Sequence, residues 1–272
     1  MAFELEALVG HLFIVGGRAI KTPPPGAFIE VAPRRAARGR EADTFFVLVL
    51  PGGEDSAPAA FYEQLAEFAA EKFFSASGSV TAALRTVFHS LNENLYEHNA
   101  SENRRYEASV VIGILRSMDL YLARAGAGVA LLKNESAVQS FPGAFDNDES
   151  LFAPPLGVQP VPIVKMANYQ VTNGSRLLIA DAHLADLGMP QLETALAAED
   201  IAAVLGAIKG FVPIQMTLMA LEFVPPEVTT TVPVRTAESS RAVTSTSQQA
   251  STAASSAMDE EGEGGAAAVH AG

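Results

Sequence analysis

The stretch TFFVLVLPGGEDSAPAAFYEQLAEFAAEKFF, residues 44–74, decides the fold. Residues 44–50 form a nearly continuous apolar run, which is typical of a strand buried on both faces. Gly52 and Gly53 end that strand. The apolar residues of the following helix recur every three or four positions and are Phe61, Leu65, Phe68, Ala69 and Phe73. A doubly buried strand beside an amphipathic helix indicates a layered domain of strands and helices.

The neighbouring sequence extends this pattern in both directions. Two strands are predicted upstream, at 8–15 and 27–31, with a turn at Pro23-Pro24-Pro25-Gly26 between them. A second helix is predicted after the first, and Ser79 or Thr81 is expected to cap it. Its apolar stripe consists of Leu84, Val87, Phe88, Leu91 and Leu95.

The remaining segments are mostly short strands. We interpret those at 108–115, 120–125, 129–133 and 137–141 as one antiparallel meander. The strands at 163–171 and 176–180 are expected to form a hairpin around Asn173-Gly174. Helices near 191–197 and 201–208 precede a last strand at 216–224. This order predicts an α+β sandwich of two antiparallel β-sheets flanked by helices (αββα).

Composition limits the function classes and the domain plan. The chain has 272 residues, a formal net charge of −13 and no cysteine. The acidity disfavours a nucleic-acid binder, and the lack of cysteine excludes disulfides and zinc fingers. Of the 37 residues at 236–272, 25 are Ala, Ser, Thr or Gly. We therefore predict a folded domain at 1–225 and a disordered, acidic Ala/Ser/Thr/Gly-rich tail at 226–272.

The distribution of apolar residues bears on location. No apolar run reaches the roughly 18 residues that a membrane-spanning helix needs, so no span is expected. Glu4 and Glu6 stand where a signal peptide would carry basic residues. The expected location is the cytoplasm.

Five phrases along the chain carry a family resemblance. They are the strand, paired glycines and helix of 44–74, then LNENLYEHNA before YEASVVIGIL, LYLARAGAGVALL, RLLIADAHLADLG and PIQMTLMALEF. In this order they resemble the PPM-type (protein phosphatase 2C-like) serine/threonine phosphatases. The resemblance covers about residues 8–224 and implies the sandwich fold of that family.

The resemblance also implies a pair of Mg or Mn ions, bridged by Asp carboxylates, that activates a water molecule. This chain departs from the family at the metal-ligand positions. Those positions hold Val49 or Pro51, Ala127, Ile214 and Gln215. Asp181 alone coincides with a family ligand, and the residue after it is Ala182 instead of Gly. One carboxylate cannot hold two hard cations, which need several oxygen ligands each.

We therefore expect a catalytically degenerate domain, a pseudophosphatase that needs no cofactor and binds a protein partner. The resemblance suggests a phosphoprotein or a kinase, within Ser/Thr phosphorylation signalling. A second hypothesis is an active Mn- or Mg-dependent phosphatase with a rearranged metal site. Its carboxylates would be Asp181 with Asp43, Glu54, Asp55 or Asp186. A third is a scaffold whose disordered tail binds the partner.

Several candidate site residues also have ordinary structural roles. Asp181 is either a remnant metal ligand or the N-cap of the short helix that follows it, and we favour the cap. Glu54 and Asp55 suit a helix start, where the helix dipole favours carboxylates. His183 is either a metal ligand beside Asp181 or a surface histidine, and we favour the latter.

A basic group of four arginines stands out in this acidic chain: Arg34, Arg35, Arg38 and Arg40. Clustered guanidinium groups bind phosphate and carboxylate groups through charge-assisted hydrogen bonds. This group is the predicted binding site for a phosphopeptide or acidic partner, with a solvated basic loop as the alternative. With Arg18 it also supplies the candidates, by position, for the phosphate-binding arginine of the family.

Overall fold

The computed structural model describes residues 4–53, 56–135, 137–145, 151–212 and 214–226. Glu54, Asp55 and all but the first residue of the predicted tail lie outside these ranges. Within them the chain forms eleven strands, four α-helices and one 3-10 helix. In chain order these are β1 (Glu6–Val15), β2 (Arg18–Ile20), β3 (Ala27–Val31), β4 (Asp43–Gly52), α1 (Ala59–Ser75), α2 (Val80–Ser101), β5 (Glu107–Arg116), β6 (Asp119–Ala125), β7 (Val129–Asn134), β8 (Ala137–Phe141), β9 (Lys165–Gln170), β10 (Arg176–Ala180), the 3-10 helix (Ala182–Asp186), α3 (Met189–Leu196), α4 (Ile201–Phe211) and β11 (Met216–Val224).

The strands form two antiparallel sheets. The first has six strands in the order β2-β1-β11-β10-β7-β8, and the second has five in the order β3-β4-β5-β6-β9. Helices α1 and α2 pack on the second sheet, and α3 and α4 pack on the first. The α+β sandwich of two antiparallel sheets flanked by helices, predicted from the sequence, is confirmed.

Strand β4 lies inside this sandwich, and its two faces have different partners. Phe45, Val47 and Val49 face the helices α1 and α2. The alternate residues Phe46 and Leu48 face the other sheet, where they pack in one cluster with residues of β10 and β11. Successive side chains of a strand point to opposite faces, so both faces of β4 must be apolar. This explains the continuous apolar run in the sequence.

Two predictions about strand pairing are wrong. The segments at 108–141 do not form one meander, because β6 pairs within the second sheet and β7 within the first. The turn at Gly126-Ala127-Gly128 thus carries the chain from one sheet to the other. Asn173-Gly174 likewise joins β9 and β10, which lie in different sheets. The turn exists, with Gly174 at φ +81°, but it is not a hairpin turn.

A buried ionic cluster connects the β3–β4 loop to the helices. Arg40 is fully buried and donates hydrogen bonds to the carbonyl oxygens of Ala76, Gly78 and Ser79. It also pairs with the buried carboxylate of Asp43, with 3.4 Å between Nη1 and Oδ2. Burial lowers the pKa of Arg40, and the negative charge of Asp43 opposes that shift.

A second arginine completes the cluster. Arg116 donates to Asp43 from Nε and Nη2 at 2.6 Å and 2.7 Å, and these hydrogen bonds raise the pKa of Arg116. Arg40 is therefore a structural residue, and its inclusion in the predicted partner site is corrected. The other three arginines of that group, Arg34, Arg35 and Arg38, are exposed.

Among the helices of the described ranges, none is both long and apolar enough to cross a membrane.

The ionic cluster generates a stability prediction. We expect Asp43→Ala to lower the free energy of unfolding by about 3–5 kcal/mol, because it leaves a buried guanidinium without its carboxylate. Glu67→Ala, exposed on α1, is the control and should change it by less than about 0.5 kcal/mol. Urea unfolding measures both. Equal losses in the two variants would show that the cluster does not stabilise the fold.

Candidate functional site

A cleft among the described residues lies where the two sheets come together at one end. The carboxyl end of β4, the turn between β6 and β7, the carboxyl end of β10 and the start of β11 all border it. Its volume is about 470 Å³. Contacts between these segments fix the shape, since Ala127 N–H donates to Ser109 Oγ at 3.0 Å and Asp181 N–H donates to the Thr217 carbonyl at 3.0 Å.

The structure brings most of the sequence-predicted ligand positions to this cleft. Its lining includes Val49, Pro51, Ala127, Asp181 and Gln215. These positions are distant in the sequence, and they meet because each lies at the end of a strand on the same side of the sandwich.

Ile214 is the ligand position that does not line the cleft. Its side chain is 65% exposed, and its carbonyl accepts a hydrogen bond from Gly17 N–H at 2.8 Å. Arg18, in the short strand β2, is exposed and is also not part of the lining.

Asp181 is held by three hydrogen bonds. Its Oδ1 accepts the backbone N–H of His183 at 3.0 Å, which makes Asp181 the N-cap of the 3-10 helix. Its Oδ2 accepts the backbone N–H of Thr217 at 2.6 Å. The His183 ring adds a contact of 3.0 Å between Nδ1 and Oδ1. The expected cap is present, and both carboxylate oxygens are engaged in local structure.

The cleft also has apolar walls whose residues were not identified as site residues from the sequence. Phe13 and Val15 contribute from β1, Pro24 and Pro25 from the following turn, and Tyr62 from α1. The proline turn was predicted as a turn, but no motif links these three separate segments to a site. Tyr62 accepts the Ala57 N–H at 3.0 Å through its hydroxyl oxygen, and burial raises its pKa, so the phenol stays neutral.

A close backbone approach fixes the wall formed by the proline turn. Gly26 accepts the Val49 N–H at 2.8 Å through its carbonyl. A Cβ atom added at Gly26 would stand 2.0 Å from the Val49 carbonyl oxygen, so any larger residue must move the turn. The turn therefore covers Val49, one of the two positions predicted for the first metal ligand.

The described side chains of the cleft do not fit a pair of divalent metal ions. Asp181 is the one carboxylate in the lining, and no group of three or more His, Asp or Glu side chains in the described residues could hold a metal. Mg and Mn need several oxygen ligands, mostly anionic. Valine, proline and alanine at the ligand positions offer none, and Gln215 offers a neutral amide oxygen instead of a carboxylate.

The carboxylates of the rearranged-site hypothesis are not brought to Asp181 where they are described. Asp43 lies at the opposite end of β4 from Pro51, roughly 26 Å away at the rise of an extended strand, and is paired with arginines. Asp186 is exposed and borders a separate depression beside His183. Glu54 and Asp55 lie outside the described residues.

Solved structures provide the comparison for this architecture. PppA, a regulatory component of T6SS in Pseudomonas aeruginosa, is 14% identical, with a TM-score of 0.57 over 81% of this chain and 98% of its own. The S. agalactiae serine/threonine phosphatase is 11% identical, with a TM-score of 0.59 over 80% and 100%. The catalytic domain of the phosphatase PstP, solved with two manganese ions, is 15% identical, with a TM-score of 0.55 over 81% and 98%.

The chain has the fold of the PPM-type phosphatases. At these identities the likeness concerns the fold alone. No protein-family model matches the sequence, and no curated protein matches it either. What the PPM-like cleft of this chain does must therefore be inferred from its own residues.

The network around Asp181 generates the prediction for this site. We expect Asp181→Ala to lower the free energy of unfolding by about 1–3 kcal/mol, because it removes a helix cap and leaves the Thr217 N–H without its acceptor. Asp186→Ala, on the same 3-10 helix but exposed, is the control and should be nearly neutral. Thermal or urea unfolding is the measurement. An Asp181→Ala protein as stable as the control would contradict the structural role given to this carboxylate.

Proposed function

We propose that this protein is a catalytically degenerate PPM-type domain that acts as a protein-binding module. The observation that carries the proposal is the lining of the cleft, where apolar side chains occupy most of the predicted ligand positions around Asp181. The link to Ser/Thr phosphorylation signalling rests on the family resemblance. A cytoplasmic location and the boundary between domain and tail near residue 225 stay predictions from the sequence.

Electrostatics in the cleft oppose phosphate ester binding. A phosphate monoester carries close to two negative charges at neutral pH, and its transfer needs positive charge to neutralise them. No Lys or Arg is among the described residues of the lining, and Asp181 adds a negative charge. A phosphate group would thus lose its hydration and meet a repulsive carboxylate. Without a Lys or Arg in the described lining, catalysis that uses no metal ion is also disfavoured.

The exposed arginines of the β3–β4 loop support a separate surface for a partner. Arg34, Arg35 and Arg38 are exposed, and the loop that carries them is fixed by the buried Arg40 and by the hydrogen bond from Ala37 N–H to the Phe74 carbonyl. A fixed loop presents its guanidinium groups with less entropy loss on binding than a mobile one. An acidic or phosphorylated peptide has the complementary charge.

The first test measures hydrolysis of p-nitrophenyl phosphate by the full chain, with and without millimolar manganese. We expect no turnover above that of Asp181→Ala, because the described side chains of the cleft do not supply the ligands of a metal pair. Circular dichroism of both proteins confirms that they are folded. Manganese-dependent turnover that Asp181→Ala abolishes would overturn the proposal and establish the active phosphatase with a rearranged site.

The second test concerns the arginine loop. The probe is a fluorescent peptide, Glu-Glu-phosphoSer-Glu-Glu, in a polarisation assay at low and physiological salt. We expect Arg34→Gln with Arg35→Gln to weaken binding at least about fivefold, corresponding to roughly 1 kcal/mol. The matched control is Arg104→Gln with Arg105→Gln, an adjacent exposed pair elsewhere. If both double variants weakened binding equally, only the net charge of the protein would attract the peptide. The loop would then not be the binding site.

A further inference from the structure

The cleft has the dimensions and lining of a small-molecule site. Its volume of about 470 Å³ lies within the range of roughly 300–1,000 Å³ that such sites occupy. Apolar walls come from β1, from the Pro24–Pro25 turn and from α1, so they enclose the space from several sides. Sites of this kind combine apolar walls with a small number of polar groups that orient the ligand.

His183 is part of the cleft lining, as well as of the neighbouring depression, and supplies such a polar group. The contact between its Nδ1 and Asp181 Oδ1 assigns the ring hydrogen to Nδ1, because a carboxylate accepts and cannot donate. In the neutral ring, Nε2 is then a hydrogen-bond acceptor. Asp181 is itself fixed by the backbone N–H groups of His183 and Thr217, so the ring is held in place.

The charges of the lining select the class of ligand. Among the described lining residues there is no Lys or Arg, and Asp181 carries the one carboxylate. An anion would enter this cleft without a counter-charge, which is costly in apolar surroundings. A neutral molecule loses little hydration free energy when it enters the cleft, and burial of its apolar surface favours binding.

We propose that the cleft binds a neutral, largely apolar small molecule that donates one O–H or N–H hydrogen bond to His183. This rests on the proposed function, since it assumes that the metal pair and phosphate chemistry are lost. The positions that hold metal ligands in the family then serve here as part of an apolar wall, with Val49, Pro51 and Ala127 in contact with the ligand space.

Three probes that share a naphthalene ring system test the proposal, by fluorescence titration of the full chain. They are 2-naphthol, which is neutral and has one O–H donor, 2-methoxynaphthalene, which lacks the donor, and 2-naphthyl phosphate, which is an anion. We expect saturable binding of 2-naphthol, several-fold weaker binding of 2-methoxynaphthalene and at least tenfold weaker binding of the phosphate. Equal or tighter binding of the phosphate, or no saturable binding of 2-naphthol by folded protein, would overturn the proposal.

Variants locate the binding in the cleft. Val15 is 50% exposed at the edge of the cleft, and Val15→Asp should weaken 2-naphthol binding about tenfold by placing a charge on the apolar wall. Val31→Asp is the matched control, because Val31 is 70% exposed and outside the cleft, and it should change nothing. Equal effects of the two valine variants would contradict binding in the cleft.

A histidine pair tests the hydrogen bond. His183→Ala should reduce 2-naphthol binding to the level of 2-methoxynaphthalene and leave the latter unchanged, whereas His89→Ala, exposed on α2, should affect neither. If His183→Ala bound neither 2-naphthol nor 2-methoxynaphthalene, His183 would have a purely structural role. The preference for a ligand that donates a hydrogen bond would then be refuted.

The probes also separate this inference from the proposed function. Manganese-dependent hydrolysis of 2-naphthyl phosphate would refute the degenerate phosphatase itself. Absence of both hydrolysis and 2-naphthol binding would refute only the small-molecule site.

Discussion

The structure depends on one constraint, which is that β4 is buried on both faces. Its odd-numbered residues pack under α1 and α2, and its even-numbered residues pack against the other sheet. A shift of one residue in the pairing of β4 with β5 would exchange these two faces, so the register is strongly fixed. The fixed register sets which residues end β4 at the cleft. The buried pair of Arg40 with Asp43 fixes the opposite end of the same strand.

Local interactions hold the cleft together at the positions where the family resemblance places metal ligands. A carboxylate cluster without its cations would repel itself and destabilise the end of the sandwich. Here most of those positions are apolar, and the remaining carboxylate of Asp181 is engaged by backbone N–H groups and His183. The turn at Gly26 closes over Val49 and completes the wall. These local interactions stabilise this end of the sandwich without a metal ion.

Hydrophobic periodicity predicts most of the elements. The strands Ala27–Val31, Ala137–Phe141, Arg176–Ala180 and Met216–Val224 have the predicted ends. Which sheet a strand joins was not predictable, because a glycine turn looks the same whether it makes a hairpin or crosses between sheets. The short β2 was missed because its three residues are exposed and carry no alternation.

The candidate site was predictable only in part. The positions at the strand ends came from the family resemblance, but the apolar walls come from distant segments without a motif. Arg40 resembles its neighbours in sequence, and only the fold shows that its charge is buried against Asp43.

The most direct test of the central claim is anomalous diffraction at the manganese absorption edge, from crystals of the full chain grown in millimolar manganese. We expect no anomalous peak in the cleft and an Asp181 carboxylate still bonded to the Thr217 N–H. Two peaks beside Asp181, with that hydrogen bond broken, would contradict the central claim and show that the cleft has kept its metal chemistry.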